Sequence, residues 1–158
     1  MSHPDVEREW VVRFLDDLRA AEGAAAEVLG AWIAVCRLDG LRGALRAIAE
    51  REAAHAELLA DRLREIGAPC DASLDERVRA GALARFGSRT VPDEEKLALV
   101  VARYPDEVSA MRPITAIVEQ LDHDVETREI LRLVAEGEGA TFAWLRAYHA
   151  GLERPGRG

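Results

Sequence analysis

The chain has 158 residues, enough for one domain with a single sizeable core, and 29 acidic residues against 21 Lys and Arg leave a net charge of −8. That sign argues against a nucleic-acid backbone as partner, and no apolar run resembles a signal core or a membrane span, so a cytoplasmic location and no membrane contact are expected. Aromatic residues make up only 5% while alanine, leucine, arginine and glutamate dominate, which predicts an all-α fold.

Taken in chain order, four long segments carry a helical period. The first runs from about Asp5 to Arg37 and closes at LDG (38–40). Its Cys36, with Cys70 further on, forms no CxxC pair and marks no disulfide scaffold. The second runs from Leu41 to Ile66 and ends at Gly67 with Pro69 beyond it, a glycine cap followed by a proline. About twenty-five residues of crossover follow, within which 74–85 suits a short extra helix. The third segment starts after TVPDEEK (90–96) and reaches Leu121; the fourth starts at Asp124 as N-cap, runs to Leu152 and leaves ERPGRG (153–158) as a frayed tail. Short links make two antiparallel hairpins, joined by one long crossover.

In a helical bundle, core positions recur in alternating steps of three and four. In the second segment that seam is Leu41, Leu45, Ile48, Glu52, His55, Leu59, Leu63 and Ile66, so Glu52 and His55 point inward between leucines. The first segment gives Val11, Leu15, Leu18, Glu22, Ala25, Leu29, Trp32 and Cys36. The third gives Leu97, Val100, Tyr104, Glu107, Met111, Ile114, Val118 and Leu121. The fourth gives Leu131, Val134, Glu138, Thr141, Leu145, Tyr148 and Leu152. Each helix thus places one glutamate on its core seam. Glu22 and Glu52 are equidistant from the first hairpin turn, and Glu107 and Glu138 from the second, so each hairpin holds its pair side by side.

Burial of a bare carboxylate carries a penalty of several kcal/mol, and four at one level also repel one another. No arginine or lysine falls on these seams to neutralise them. A bound cation does so, and carboxylate oxygens with one imidazole suit iron, manganese or zinc. Two divalent ions would balance four carboxylates.

Four helices, one long crossover, a glutamate on helices one, three and four and Glu-x-x-His on helix two together resemble the ferritin-like superfamily, which includes ferritins, rubrerythrins and related di-iron carboxylate proteins. The resemblance covers roughly 5–67 and 92–152. It implies a four-helix bundle with Glu22 and Glu107 as single ligands, Glu52 and His55 as the first paired ligands and Glu138 opening the second pair. A histidine is implied at 141, where this chain has Thr141; ferritins resemble this arrangement with a single histidine. His149 lies eight residues further along, ~12 Å down the helix, and cannot take that place. The implied activity is oxidation of Fe(II) by oxygen or peroxide at a di-iron or di-manganese site, in iron handling or peroxide defence.

Several local features bear on that site. Gly137 and Gly139 flank Glu138 and suit a bulge or a close approach, or reflect only drift in an Ala/Gly/Arg-rich stretch. Pro105 and Pro113 force the third segment to kink, or to begin afresh with Asp106 and Glu107 in its first turn. Tyr104 shares the seam with Glu107 and suits hydrogen bonding to a ligand, passage of an electron, or simple core packing. A homodimer is the expected assembly, with Trp10, Phe142 and Trp144 as outer apolar contacts unless they lie under the crossover. Two other functions fit the same residues: a metal-free ferritin-like structural or dimerisation module, and a di-metal oxygenase acting on a small organic substrate, which would need a pocket beside the site.

Overall fold

Helix α1 (His3–Ile33) and helix α2 (Asp39–Glu65) form the first hairpin of the computed structural model, which describes residues 3–154; the last four residues of the ERPGRG tail lie outside the described residues. The remaining helices are α3 (Glu76–Phe86), α4 (Asp93–Val101), α5 (Glu107–Val118) and α6 (Val125–Leu152), and the described residues contain no strand. Helix α1 stops four residues short of the expected Arg37, its end tightening into a turn in which the Val35 N–H donates to the Trp32 carbonyl. Helix α2 ends as its glycine demands. Gly67 takes φ 70°, and the N–H groups of Gly67 and Ala68 return to the carbonyls of Arg64 and Leu63, which is the Schellman closure.

The crossover holds the short helix expected within it. Asp75 caps α3 by accepting from the N–H of Arg77 and Val78. Asp16 of α1 fixes the approach to that helix, accepting from the N–H of Asp71 and Ala72 at 2.8 and 2.7 Å. The expected third long helix is two helices, α4 and α5. Pro105 lacks an N–H and pushes its predecessor out of helical geometry, so α4 ends and the chain restarts, with Asp106 capping α5 through the Ser109 N–H at 2.7 Å. Asp124 caps α6 as the sequence indicates, accepting from the Thr127 N–H.

Helices α1 and α2 pack along each other, as do α5 and α6; α2 meets α6, α4 lies on α6, and α3 lies on α1. The apolar interior falls into two clusters. One gathers Val11, Leu15, Leu59, Leu63, Leu131 and Val134; the other gathers Trp32, Leu41, Leu45, Ile48, Leu97 and Leu145. Along α1, α2 and α6 the residues between these clusters include Glu22, Glu52, His55 and Glu138, so a polar level divides the core.

The termini of the helices are tied by buried acids that are fully served with donors. Asp93 accepts from the Trp32 indole at 2.8 Å and from the Arg37 N–H at 2.7 Å. Glu7 accepts from the N–H of Asp122, His123 and Asp124 and from the His123 ring. Burial opposes its charge, but the His123 ring and the three N–H groups outweigh that and hold its pKa down at about 2. Of the three expected outer aromatic contacts, Trp144 is exposed and stacks on Tyr148, and Trp10 is half-buried against the first cluster. Phe142 is buried and belongs to the interior, because it lies one position past the seam residue Thr141 on the side covered by Tyr104.

Candidate metal centre

The leucine seam of α2 carries Glu52 and His55 inward, as its period requires. Glu52 is 4% exposed, and the His55 side chain is 13% exposed. Glu22 arrives from α1, also 4% exposed, and Glu138 from α6. One ligand atom from each of these four residues lies within 4.8 Å of all the others. His55 Nδ1 stands 3.5 Å from Glu22 Oε2.

The glycine before Glu138 permits this approach. A Cβ on Gly137 would stand 2.7 Å from His55 Cε1, so with a side chain there the imidazole could not keep its present place under α6. Gly139 does the same against Met111 of α5, where a Cβ would meet Sδ at 2.5 Å. Both glycines thus lie in close approach to side chains of neighbouring helices, His55 and Met111.

The electrostatics differ from those of the structural acids. Glu22 Oε2, Glu138 Oε1 and His55 Nδ1 are buried and have no hydrogen-bond partner. Burial raises the Glu22 carboxyl to about 7, with Glu52 opposing and Glu138 adding to the rise. Burial and Glu22 push Glu52 to about 8; burial and Glu52 push Glu138 to about 7. Burial lowers His55, against the pull of Glu52 and Glu138, and so favours the neutral ring that ligates metals. This fold can serve a buried carboxylate with donors, as Glu7, Asp16 and Asp93 show. At this one level it leaves an oxygen of Glu22 and one of Glu138 without any.

These residues fit a metal ion. Atoms bound to one ion at ~2.1 Å stand no more than ~4.2 Å apart, so a group already within 4.8 Å needs only slight closure. Three carboxylate oxygens and one imidazole nitrogen are donors for iron, manganese or zinc. An ion supplies the positive charge that the orphaned oxygens lack.

One expected ligand stands apart. Glu107 is exposed in the first turn of α5 and is not in the cluster: Pro105 restarts the helix, and the restart resets which face the following residues occupy. Tyr104 lies in the break between α4 and α5, edge-on to Phe142 at 5.9 Å and beneath the Arg103 guanidinium. It lines a cleft of about 370 Å³, walled chiefly by apolar side chains such as Leu29, Phe86 and Leu145, that reaches Glu52 and Glu138.

One residue of the site escaped the seam count. Arg51, beside Glu52 on α2, donates from Nη2 to Thr141 Oγ1, and its charge acts on Glu22, Glu138 and His55. The seams are free of arginine, but a guanidinium one position away is long enough to reach in. No family model, curated protein or solved structure matches the chain.

Proposed function

We propose that this chain is a metal-binding protein of ferritin-like design in which Glu22, Glu52, His55 and Glu138 hold a divalent transition metal, iron or manganese in preference to zinc, and that it oxidises Fe(II) with oxygen or peroxide. The observation that carries this is the contrast among buried acids: those that tie helices together are saturated with donors, whereas Glu22 and Glu138, beside His55, each keep a buried oxygen with no partner. When bound, the ion would supply one-electron redox chemistry, Fe(II) losing an electron to an oxidant that takes up protons and leaves as water. The carboxylates would bind and charge-balance the ion, His55 would fix it through a neutral ring nitrogen, and the leucines above and below would keep bulk water away. Oxidation chemistry and the choice of iron rest on the resemblance.

Elemental analysis of protein purified without chelating resin, followed by anaerobic Fe(II) loading, tests this. Bound metal that disappears in Glu52→Ala and Glu138→Ala, with an oxygen-dependent rise in ferric absorbance in the parent chain, supports the proposal. A chain that stays metal-free after loading refutes it and leaves the metal-free structural module.

The cleft favours a second reading, oxidation of a small organic substrate. Its apolar walls and its contact with Glu52 and Glu138 suit a molecule of modest size held against the ion. Metal-dependent consumption of oxygen without Fe(II), on addition of a small apolar compound, would favour that reading over the first.

A further inference from the structure

The polar level of the core contains a cation of its own. The Arg51 side chain passes Gly137 of α6, its Cδ 3.5 Å from where a Cβ would stand, and reaches Thr141 Oγ1. Thr141 follows Glu138 by three residues as His55 follows Glu52, so it holds the place a second metal-binding histidine would take. Its hydroxyl accepts from the guanidinium. Glu107, the other donor a second ion would use, is exposed. The remaining four ligand atoms lie within 4.8 Å of one another, a span for one ion; paired metals stand ~3.5–4 Å apart and need ligands spread around both. The acids call for an ion because Glu22, 4% exposed, keeps Oε2 without a donor.

From this arrangement we infer that the centre takes one divalent ion per chain, with the Arg51 guanidinium fixed where a second ion would sit. Three carboxylates, one guanidinium and one divalent ion sum to zero formal charge. The inference rests on the metal-binding reading above and replaces the two ions expected from the sequence. Arg51 is a positioning residue that acts by charge and by its bond to Thr141, without touching the ion. The occupancy follows from Arg51, from the exposure of Glu107 and from Thr141 in place of a histidine, all of which disfavour the same half of the site.

The test is titration of the metal-free full chain with Mn(II), read by calorimetry and by electron paramagnetic resonance of the bound ion. One Mn(II) per chain with the spectrum of an isolated ion is expected. Arg51→Gln is expected to bind the ion about tenfold more tightly, because a like charge near the site is removed. Two ions per wild-type chain with an exchange-coupled spectrum would overturn the inference. Unchanged or weaker binding in Arg51→Gln would overturn the role given to its charge, since an arginine that merely props the site lowers affinity when lost. No Mn(II) bound by the wild type, with Glu52→Ala behaving identically, is a different failure and strikes the metal-binding reading itself. Stoichiometry of the wild type decides occupancy whether or not the variant folds.

Discussion

Gly137→Ala separates metal binding from folding, because its effects on the two have opposite sign. In the interior of α6, replacing glycine by alanine stabilises a helix by ~0.8–1 kcal/mol. A domain of this size should then gain about 2–4 °C in melting temperature, if nothing else changes. The new methyl would stand 2.7 Å from His55 Cε1 and 3.2 Å from Nε2. An unstrained carbon contact is ~3.5 Å, so the ring must retreat by roughly 0.8 Å. The ring lies at the far end of a side chain with rotational freedom, so the metal-free protein can absorb this by turning His55 aside. A metal site tolerates errors of only ~0.2 Å in ligand distance. Affinity for Mn(II) or Fe(II) should therefore fall by about 10–100-fold, the usual loss when a ligand's orientation is spoiled. Calorimetric titration and melting curves with and without Mn(II) measure both effects. A variant that binds metal as tightly as the parent would refute the placement of His55 among the ligands, whatever its melting temperature.

Glu52→Leu extends a leucine seam, and should abolish metal binding while raising the denaturant stability of the metal-free protein by about 1–4 kcal/mol, as replacing buried ionisable groups by hydrocarbon often does; loss of stability in chelator would count against a costly buried carboxyl there. In the metal-free protein, Glu22, Glu52 and Glu138 hold protons more tightly folded than unfolded, with pKa values of about 7, 8 and 7 against an ordinary 4.5. Their contribution to stability is complete below pH 4.5 and is lost as pH rises toward 8, so melting temperature in chelator should fall between pH 5 and 8.5, while with saturating Mn(II) it should not. The window lies above the range in which Glu7, held at about 2, loses its charge, and a metal-free melting temperature that is flat or rising would refute the assignment. Glu107→Gln should leave metal content unchanged in elemental analysis, because this side chain is exposed at the start of α5.

Where helices run unbroken through the core, the spacing of residues was enough to place side chains. Leucines on both sides of Glu52 and His55 leave α2 one inward face, and the same holds for Glu22 on α1 and Glu138 on α6. Caps were equally readable, since Asp124 and Gly67 each have a side chain or backbone suited to one job. Glu107 was misplaced because steps of three and four continue numerically across 102–106, where there is no helix to give them meaning. Pro105 contained the correct alternative, a fresh start with Asp106 and Glu107 in the first turn. Arg51 was missed for another reason: periodicity reports where a Cβ points, whereas a guanidinium acts several bonds away. The cleft beside Tyr104 depends on how α3 and the α4–α5 break lean on α1 and α6, and no single helix encodes that.

The acidic level lies between two hydrophobic clusters that do not merge. Without an ion, and at a pH where its acids ionise, this level adds repulsion through the middle of the molecule, and an excursion that parts the helices there would wet the oxygens and relieve it. An ion binding only the closed form shifts that equilibrium in proportion to its free concentration. If the proposed ion binds, chains without it would open more often and be degraded first, and turnover would then follow metal supply; the ratio of proteolysis rates with and without Mn(II) measures this directly.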